Sequence, residues 1–224
     1  MTDNLRKKIQ NDIFDYVQLS DALSDFSNIR TKIGRLLASG EIIRIRKGLY
    51  TFPEYLRRSP LNPCVVANMV YGPSYVSCDY ALSYYGMIPE RVELITSMTT
   101  GRPKEFSTPI GCFSYRQRRA MDYAIGIEAV ETPSGNFLIA SREKAIYDKA
   151  LTDPRFDGSN IKEYLLADLR LDEEALSQLN IEVLRELRDS AAGRMLKLVK
   201  TLLEEWYESG CPTDAGAIRL PKRK

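Results

Sequence analysis

The sequence predicts an α+β fold: a small N-terminal helix-and-hairpin module, then a larger domain whose strands precede a run of helices. Three observations carry this. Apolar residues recur at helical spacing in Asn28–Leu37, apolar and basic residues alternate with period two in Ile42–Arg46, and from Ser141 onward capping residues introduce successive helical runs.

Leu5, Ile9 and Ile13 sit at i, i+4, i+8, which predicts a first helix over Leu5–Ile13. Tyr16-Val17-Gln18 reads as a connector or short strand, Ser20 or its neighbour as the cap of a second helix running to Leu23, and Ser24–Ser27 as the turn. In the next helix Ile29, Ile33, Leu36 and Leu37 form one apolar stripe. At about 100° per residue, Thr31, Gly34, Arg35 and Ala38 point away from it, with Arg30 and Lys32 on the flanks. Gly40 is a natural helix stop. Ile42–Arg46 then reads as a half-buried strand with Arg44 and Arg46 on a shared face, Lys47-Gly48 as a tight turn, and Leu49–Phe52 as the returning strand.

Helix, turn, helix and hairpin in this order are the elements of a winged helix-turn-helix over residues 1–55. Asn28–Phe52 holds six basic residues against Glu41 alone, a net +5 in a chain of net +2, so the rest sums to −3. Charge concentrated in this way suits a phosphate backbone, and double-stranded DNA is the expected partner. Arg30, Thr31, Lys32 and Arg35 are the candidates for the major groove, and Arg44, Arg46 and Lys47 for the backbone or minor groove. Arg35 is the candidate for reading a base, since bidentate guanidinium contact to guanine is the commonest specific contact. A winged module that binds only protein remains the alternative for these residues.

Pro53, Pro60 and Pro63 bracket a segment with Arg57 and Arg58 that reads as a linker, placing a domain boundary near 53 to 62 and a second domain over 56–224. There, Cys64–Val70 and Asp79–Tyr85 predict short helices, the second ended by Gly86, with a strand at Ser74–Ser77 between them. Val92–Ser97, Gly111–Tyr115, Tyr123–Val130 and Asn136–Ala140 predict an antiparallel sheet with helices on one side, and Pro133-Ser134-Gly135-Asn136 is a turn between the last two strands. Helix starts are expected at Ser141, Ser159 or Asn160, Asp172, Asn180 and Ser190. Leu196, Val199, Leu203 and Trp206 line one face of the last helix, before Gly210, Pro212 and a basic tail at Lys222–Lys224.

The chain opens without a secretion signal and holds no run approaching a membrane span, so no membrane partner is expected and the cytoplasm is the expected location. Cys64, Cys78, Cys112 and Cys211 lack paired spacing and there is no histidine, which argues for buried thiols and against a disulfide framework, a zinc site or any cofactor. Without imidazole, Ser-His and Cys-His nucleophile activation cannot be assembled. No Asp/Glu-x-Lys triplet occurs, which removes one metal-nuclease signature. Gly158-Ser159 ahead of Asp172-Glu173-Glu174 echoes a nucleotidyltransferase pattern, but the acidic trio reads as a helix start, and no catalytic residue is assigned. A nuclease or nucleotidyl-transfer enzyme targeted by the winged module is the alternative to a non-enzymatic chain. Arg116, Arg118 and Arg119 form a charge run that reads as a solvated loop or as part of a contact surface, and Tyr80 and Tyr84, one helical turn apart, as core tyrosines or as part of the same partner surface.

The order of parts resembles a family. The winged N-terminus, Tyr75-Val76-Ser77 leading into Ala81–Gly86, Val92–Ser97, and Ala140-Ser141-Arg142-Glu143-Lys144-Ala145-Ile146-Tyr147-Asp148 are similar to the AbiEi-type antitoxins of abortive-infection (type IV) toxin-antitoxin systems, over most of the chain. Tyr85 stands before Gly86 where the family commonly has histidine. The resemblance implies a repressor of its own operon's promoter. It also implies that the C-terminal domain counters a nucleotidyltransferase-like toxin without a stable complex between the two.

Overall fold

The computed structural model describes residues 2–118 and 122–208. The fold is α+β. Its N-terminal part contains α1 (Thr2–Lys8), β1 (Ile13–Asp15), α2 (Tyr16–Ala22), α3 (Ile29–Ala38), β2 (Ile43–Arg46) and β3 (Leu49–Thr51), with the strands in an antiparallel sheet of order β1-β3-β2.

The first helix is shorter than its apolar spacing predicts. The Arg6 guanidinium donates to the carbonyls of Ile9, Gln10 and Asn11 and pairs with Asp12 at 2.6 Å, so it folds the segment after the helix back onto itself, and Ile13 enters a strand. Tyr16–Gln18 is helix, not connector. Asp15 accepts from the Gln18 amide at 2.8 Å while the Asp15 amide donates to the Gln18 side chain at 3.0 Å, a capping box that starts α2 earlier than Ser20. Asn28 caps α3 through the Thr31 amide at 3.0 Å, and Gly40, at φ +72°, takes the left-handed conformation after the helix.

The second part contains α4 (Pro63–Val70), β4 (Ser74–Val76), α5 (Cys78–Tyr84), β5 (Ile95–Thr99), β6 (Lys104–Thr108), β7 (Gly111–Gln117), β8 (Ile127–Thr132) and β9 (Gly135–Ala140). Its six-stranded sheet has the order β6-β7-β5-β4-β9-β8 and is mixed, because β5 runs parallel to β7 and β4 parallel to β9. The expected all-antiparallel sheet is thereby corrected. The expectation of helices on one side also fails. Tyr115 donates to the Ala67 carbonyl of α4, while its neighbour Arg116 donates to Thr152 of α6, and successive strand residues point to opposite faces. Helices on both faces explain why β5 is buried at every position and starts three residues later than the alternating Val92–Ser97 pattern predicts. The polar edge strand β6 has no counterpart among the predicted strands.

The helical C-terminal part contains α6 (Arg142–Thr152), α7 (Ile161–Glu163) continuing as a π turn over Tyr164–Asp168, α8 (Glu173–Ser177), α9 (Ile181–Ser190) and α10 (Gly193–Glu208). Ser141, Asp172 and Asn180 cap α6, α8 and α9 through backbone amides as expected. Ser190 ends α9 instead of opening the last helix, whose buried face is Met195, Leu198, Val199 and Leu202. The side chain of Trp206, Cys211 and the basic tail lie outside the described residues. Cys64 and Cys78 are buried as expected, but Cys112 is exposed on β7.

Two hydrophobic clusters form the interior. The buried residues of one lie within Leu5–Phe52, with the Phe14 and Phe52 rings tilted against each other at 4.8 Å. The other spans the second part and also takes in Ile13, Ile45 and Leu49, so the small sheet packs its outer face on the larger unit. The segment after β3 is pinned as well, because Asp12 accepts from the amides of Arg58 and Ser59. Among the described residues no helix is long and apolar enough to cross a membrane.

Candidate nucleic-acid interface

Helix α3 buries Ile33 and Leu36 and leaves Arg30, Thr31, Gly34, Arg35 and Ala38 exposed, the face that its periodicity predicts. A Cβ added at Gly34 would meet nothing within 4 Å, so the glycine serves no internal packing and leaves the outer surface low between Arg30 and Arg35. Lys32 lies on the flank, with its ammonium 5.1 Å from the Phe26 ring centroid. Cation and ring stabilise one another there, which orients Lys32 toward the α2–α3 side of the helix.

The hairpin β2–β3 carries Arg44, Arg46 and Lys47, all exposed. Gly48, at φ +84°, makes the turn, and its carbonyl accepts from the Tyr16 amide at 2.9 Å, which ties the hairpin tip to the start of α2. The two arginines do not share a face. Arg44 pairs with Tyr50 and Arg46 with Leu49, with a bulge between them, so the extra residue Ile45 turns Arg46 to the opposite side. Arg44 then lies near the Tyr50 ring, 5.9 Å from its centroid, whereas Arg46 faces the larger unit. Burial raises the Tyr115 hydroxyl's pKa, and Arg46 offsets part of that rise, so Arg46 lies within electrostatic reach of β7. Among the described residues no acidic side chain pairs with Arg30, Arg35, Arg44, Arg46 or Lys47.

The second set of predicted residues is dispersed. Tyr80 is half-buried beside the Cys64 thiol, and Tyr84, 49% exposed, meets the rings of Tyr85 and Phe137 edge-on. Arg116 is half-buried and donates to Thr152 at 2.8 Å. Arg118 is not on a surface. It is 2% exposed, pairs with Asp148 and Asp122, and lies under the Tyr147 ring, which corrects its reading as a solvated loop residue. Arg119 lies outside the described residues.

Arg118 belongs to a buried polar cluster that charge counting misses. Asp148, fully buried on α6, accepts from Arg118, from the Tyr75 hydroxyl at 2.9 Å and from Ser77 at 2.8 Å. Burial raises the pKa of its carboxyl, opposed by Arg118, Lys144 and the two hydroxyls. Lys144, also fully buried, donates to the Asp122 carbonyl, and burial lowers its pKa to about 8. Glu143 accepts from Ser141 at 2.7 Å and from the Asn180 amide, which joins α6 to the start of α9. Every residue of α6 from Glu143 to Asp148 is buried, a placement set by partners distant in the sequence that local periodicity does not mark. Their donors and acceptors are turned on one another, and the cluster serves to lock α6 against β4 and the segment before β8. Among the described residues no group of His, Cys, Asp or Glu is placed to hold a metal ion. Asp172, the candidate carboxylate of the nucleotidyltransferase echo, accepts from the Ala175 amide at 2.9 Å as a helix cap.

No family model and no curated protein matches the chain by sequence. Among solved structures it is similar to the crystal structure of the RV2827C protein from Mycobacterium tuberculosis, at 13% identity and a TM-score of 0.56, over 92% of this chain and 75% of that one. At this identity the likeness concerns the fold alone.

Proposed function

We propose that the chain is a DNA-binding repressor of its own operon and an antitoxin of AbiEi type. In this reading residues 1–55 are a winged helix-turn-helix, α3 enters the major groove, and the β2–β3 hairpin is the wing. The observation that carries it is the surface formed by α3 and the hairpin: basic, low in relief at Gly34, and free of acidic partners at Arg30, Arg35, Arg44, Arg46 and Lys47. Exposed cations without acidic partners, on a helix and on both flanks of the hairpin beside it, are what a phosphate backbone requires.

The C-terminal domain is, in the same reading, not an enzyme but the part that counters a nucleotidyltransferase-like toxin from the same operon. Its carboxylates support this. Asp148 is buried and saturated by donors, and one oxygen of the exposed Asp172 is engaged as a helix cap. Two assays test the halves separately. A reporter driven by the chain's own promoter should be repressed by the wild type and released by Arg35→Ala with Arg44→Ala. Growth arrest by the neighbouring toxin gene should still be relieved by Asp172→Asn with Glu174→Gln. Loss of relief in that carboxylate variant, with its fold intact, would favour the enzyme alternative.

A further inference from the structure

The bulge at Ile45 directs Arg46 away from the helices and toward the larger unit, where basic residues of the β5–β6 turn lie. β6 is an edge strand of the mixed sheet, and its register pairs Lys104 with Tyr115 and Glu105 with Ser114. Directly paired residues share a face, so Lys104 lies on the Tyr115 face, the one covered by α4, and Glu105 on the other. Lys104 places its ammonium 4.8 Å from the Tyr71 ring centroid, and Tyr71 in turn meets Tyr115 edge-on at 5.2 Å. Ile45 and Leu49, on either side of Arg46 in the hairpin, belong to the same hydrophobic cluster as Tyr115, with Tyr71 and Phe106 packed against it. Arg46, which stands opposite Leu49 and within electrostatic reach of Tyr115, and Lys104, over Tyr71, therefore border the same group of rings. Arg102, in the turn just before β6, is exposed and pairs with no acidic group among the described residues.

We infer that the DNA interface continues past the wing onto the larger unit, with Arg102 and Lys104 contacting the phosphate backbone beyond Arg46. This rests on the DNA-binding reading and adds two phosphate contacts to it. The packing of Ile13, Ile45 and Leu49 into the larger core holds the two basic surfaces in one orientation, so a duplex seated on α3 and the wing meets Arg102 and Lys104 at no added ordering cost. These contacts lie on the backbone and carry no sequence information.

The test compares the full chain with its Arg102→Gln, Lys104→Gln double variant in duplex binding across a salt series. Each lost phosphate contact lowers the log-log salt slope by about 0.9, so the double variant should be shallower by about 1.8, with operator and scrambled duplexes weakened alike. The Arg102→Lys, Lys104→Arg variant should keep the wild-type slope, and Glu105→Gln, on the opposite face, should leave it unsteepened. Equal slopes for wild type and the double glutamine variant overturn the inference and leave the winged-module reading standing. Absence of duplex binding by the wild type overturns both.

Discussion

Arg44 and Arg46, two residues apart on one strand, point to opposite faces of the hairpin because Ile45 is bulged between them. Arg44 lies beside Tyr50, over the helical side, and Arg46 lies at the seam with the larger unit. The basic hairpin is therefore a ridge with a charge on each flank, not a single positive face.

The two arginines should behave differently on substitution. Arg44→Ala should reduce the salt slope of duplex binding by about 0.9 and leave thermal unfolding unchanged. Arg46→Ala should weaken binding and also lower the melting temperature, since Arg46 stands opposite Leu49, a residue of the core shared with the larger unit. Identical thermal profiles for the two variants would contradict the assignment of faces.

In the proposed reading Arg35 reads a base and Lys47 contacts the backbone, and the two roles can be separated. Arg35→Ala should cost about 1–3 kcal/mol of preference for the operator over a scrambled duplex, whereas Lys47→Ala should weaken both duplexes equally. Competition binding measures the ratio directly, and a preserved ratio in Arg35→Ala would move Arg35 to the phosphate backbone.

The Arg118–Asp148 pair predicts a large stability effect. Arg118→Ala leaves the Asp148 carboxylate buried with its two hydroxyl donors and Lys144 as the remaining nearby cation, and should destabilise the fold by about 3–5 kcal/mol in denaturant unfolding. Adding Asp148→Asn to Arg118→Ala should cost less than the sum of the single changes, because the uncompensated charge is removed. Simple additivity would show that the two groups act independently.

Lys144 gives the fold a pH dependence with a definite sign. Its folded pKa, about 8, lies below the ordinary lysine value of 10.5, so the unfolded chain binds more protons between the two. Its contribution to stability is fully present above the unfolded pKa and is lost as pH falls through about 8. Between these limits stability should rise with pH, and Lys144→Met should flatten that rise. Parallel curves for wild type and variant in chemical denaturation would place the dependence elsewhere.

Much of the N-terminal part is legible in the sequence because its signals are local. The Asn28 cap, the Ile29–Leu37 stripe and the Lys47-Gly48 turn each act within one or two turns of chain, and the exposed residues of α3 follow from them. The α1 end and the α2 start do not follow from apolar spacing, because Arg6 and the Asp15–Gln18 box override it with specific hydrogen bonds. In the larger unit the strand directions depend on which strands become neighbours far along the chain, and a mixed order such as β7-β5-β4-β9 leaves no mark on local periodicity. Arg118 illustrates the same limit for charge. A basic run reads as solvated until Asp148, thirty residues away, is brought against it.

Duplex binding by the full chain, using the region upstream of its own gene against a scrambled duplex across a salt series, tests the central claim most directly. The account predicts preferential binding with a log-log slope of about −4.5 from five phosphates on the winged module, steepening toward about −6.3 with Arg102 and Lys104 engaged. No preference for that duplex, or no binding at low salt, would contradict it and turn the basic face of α3 toward a protein partner.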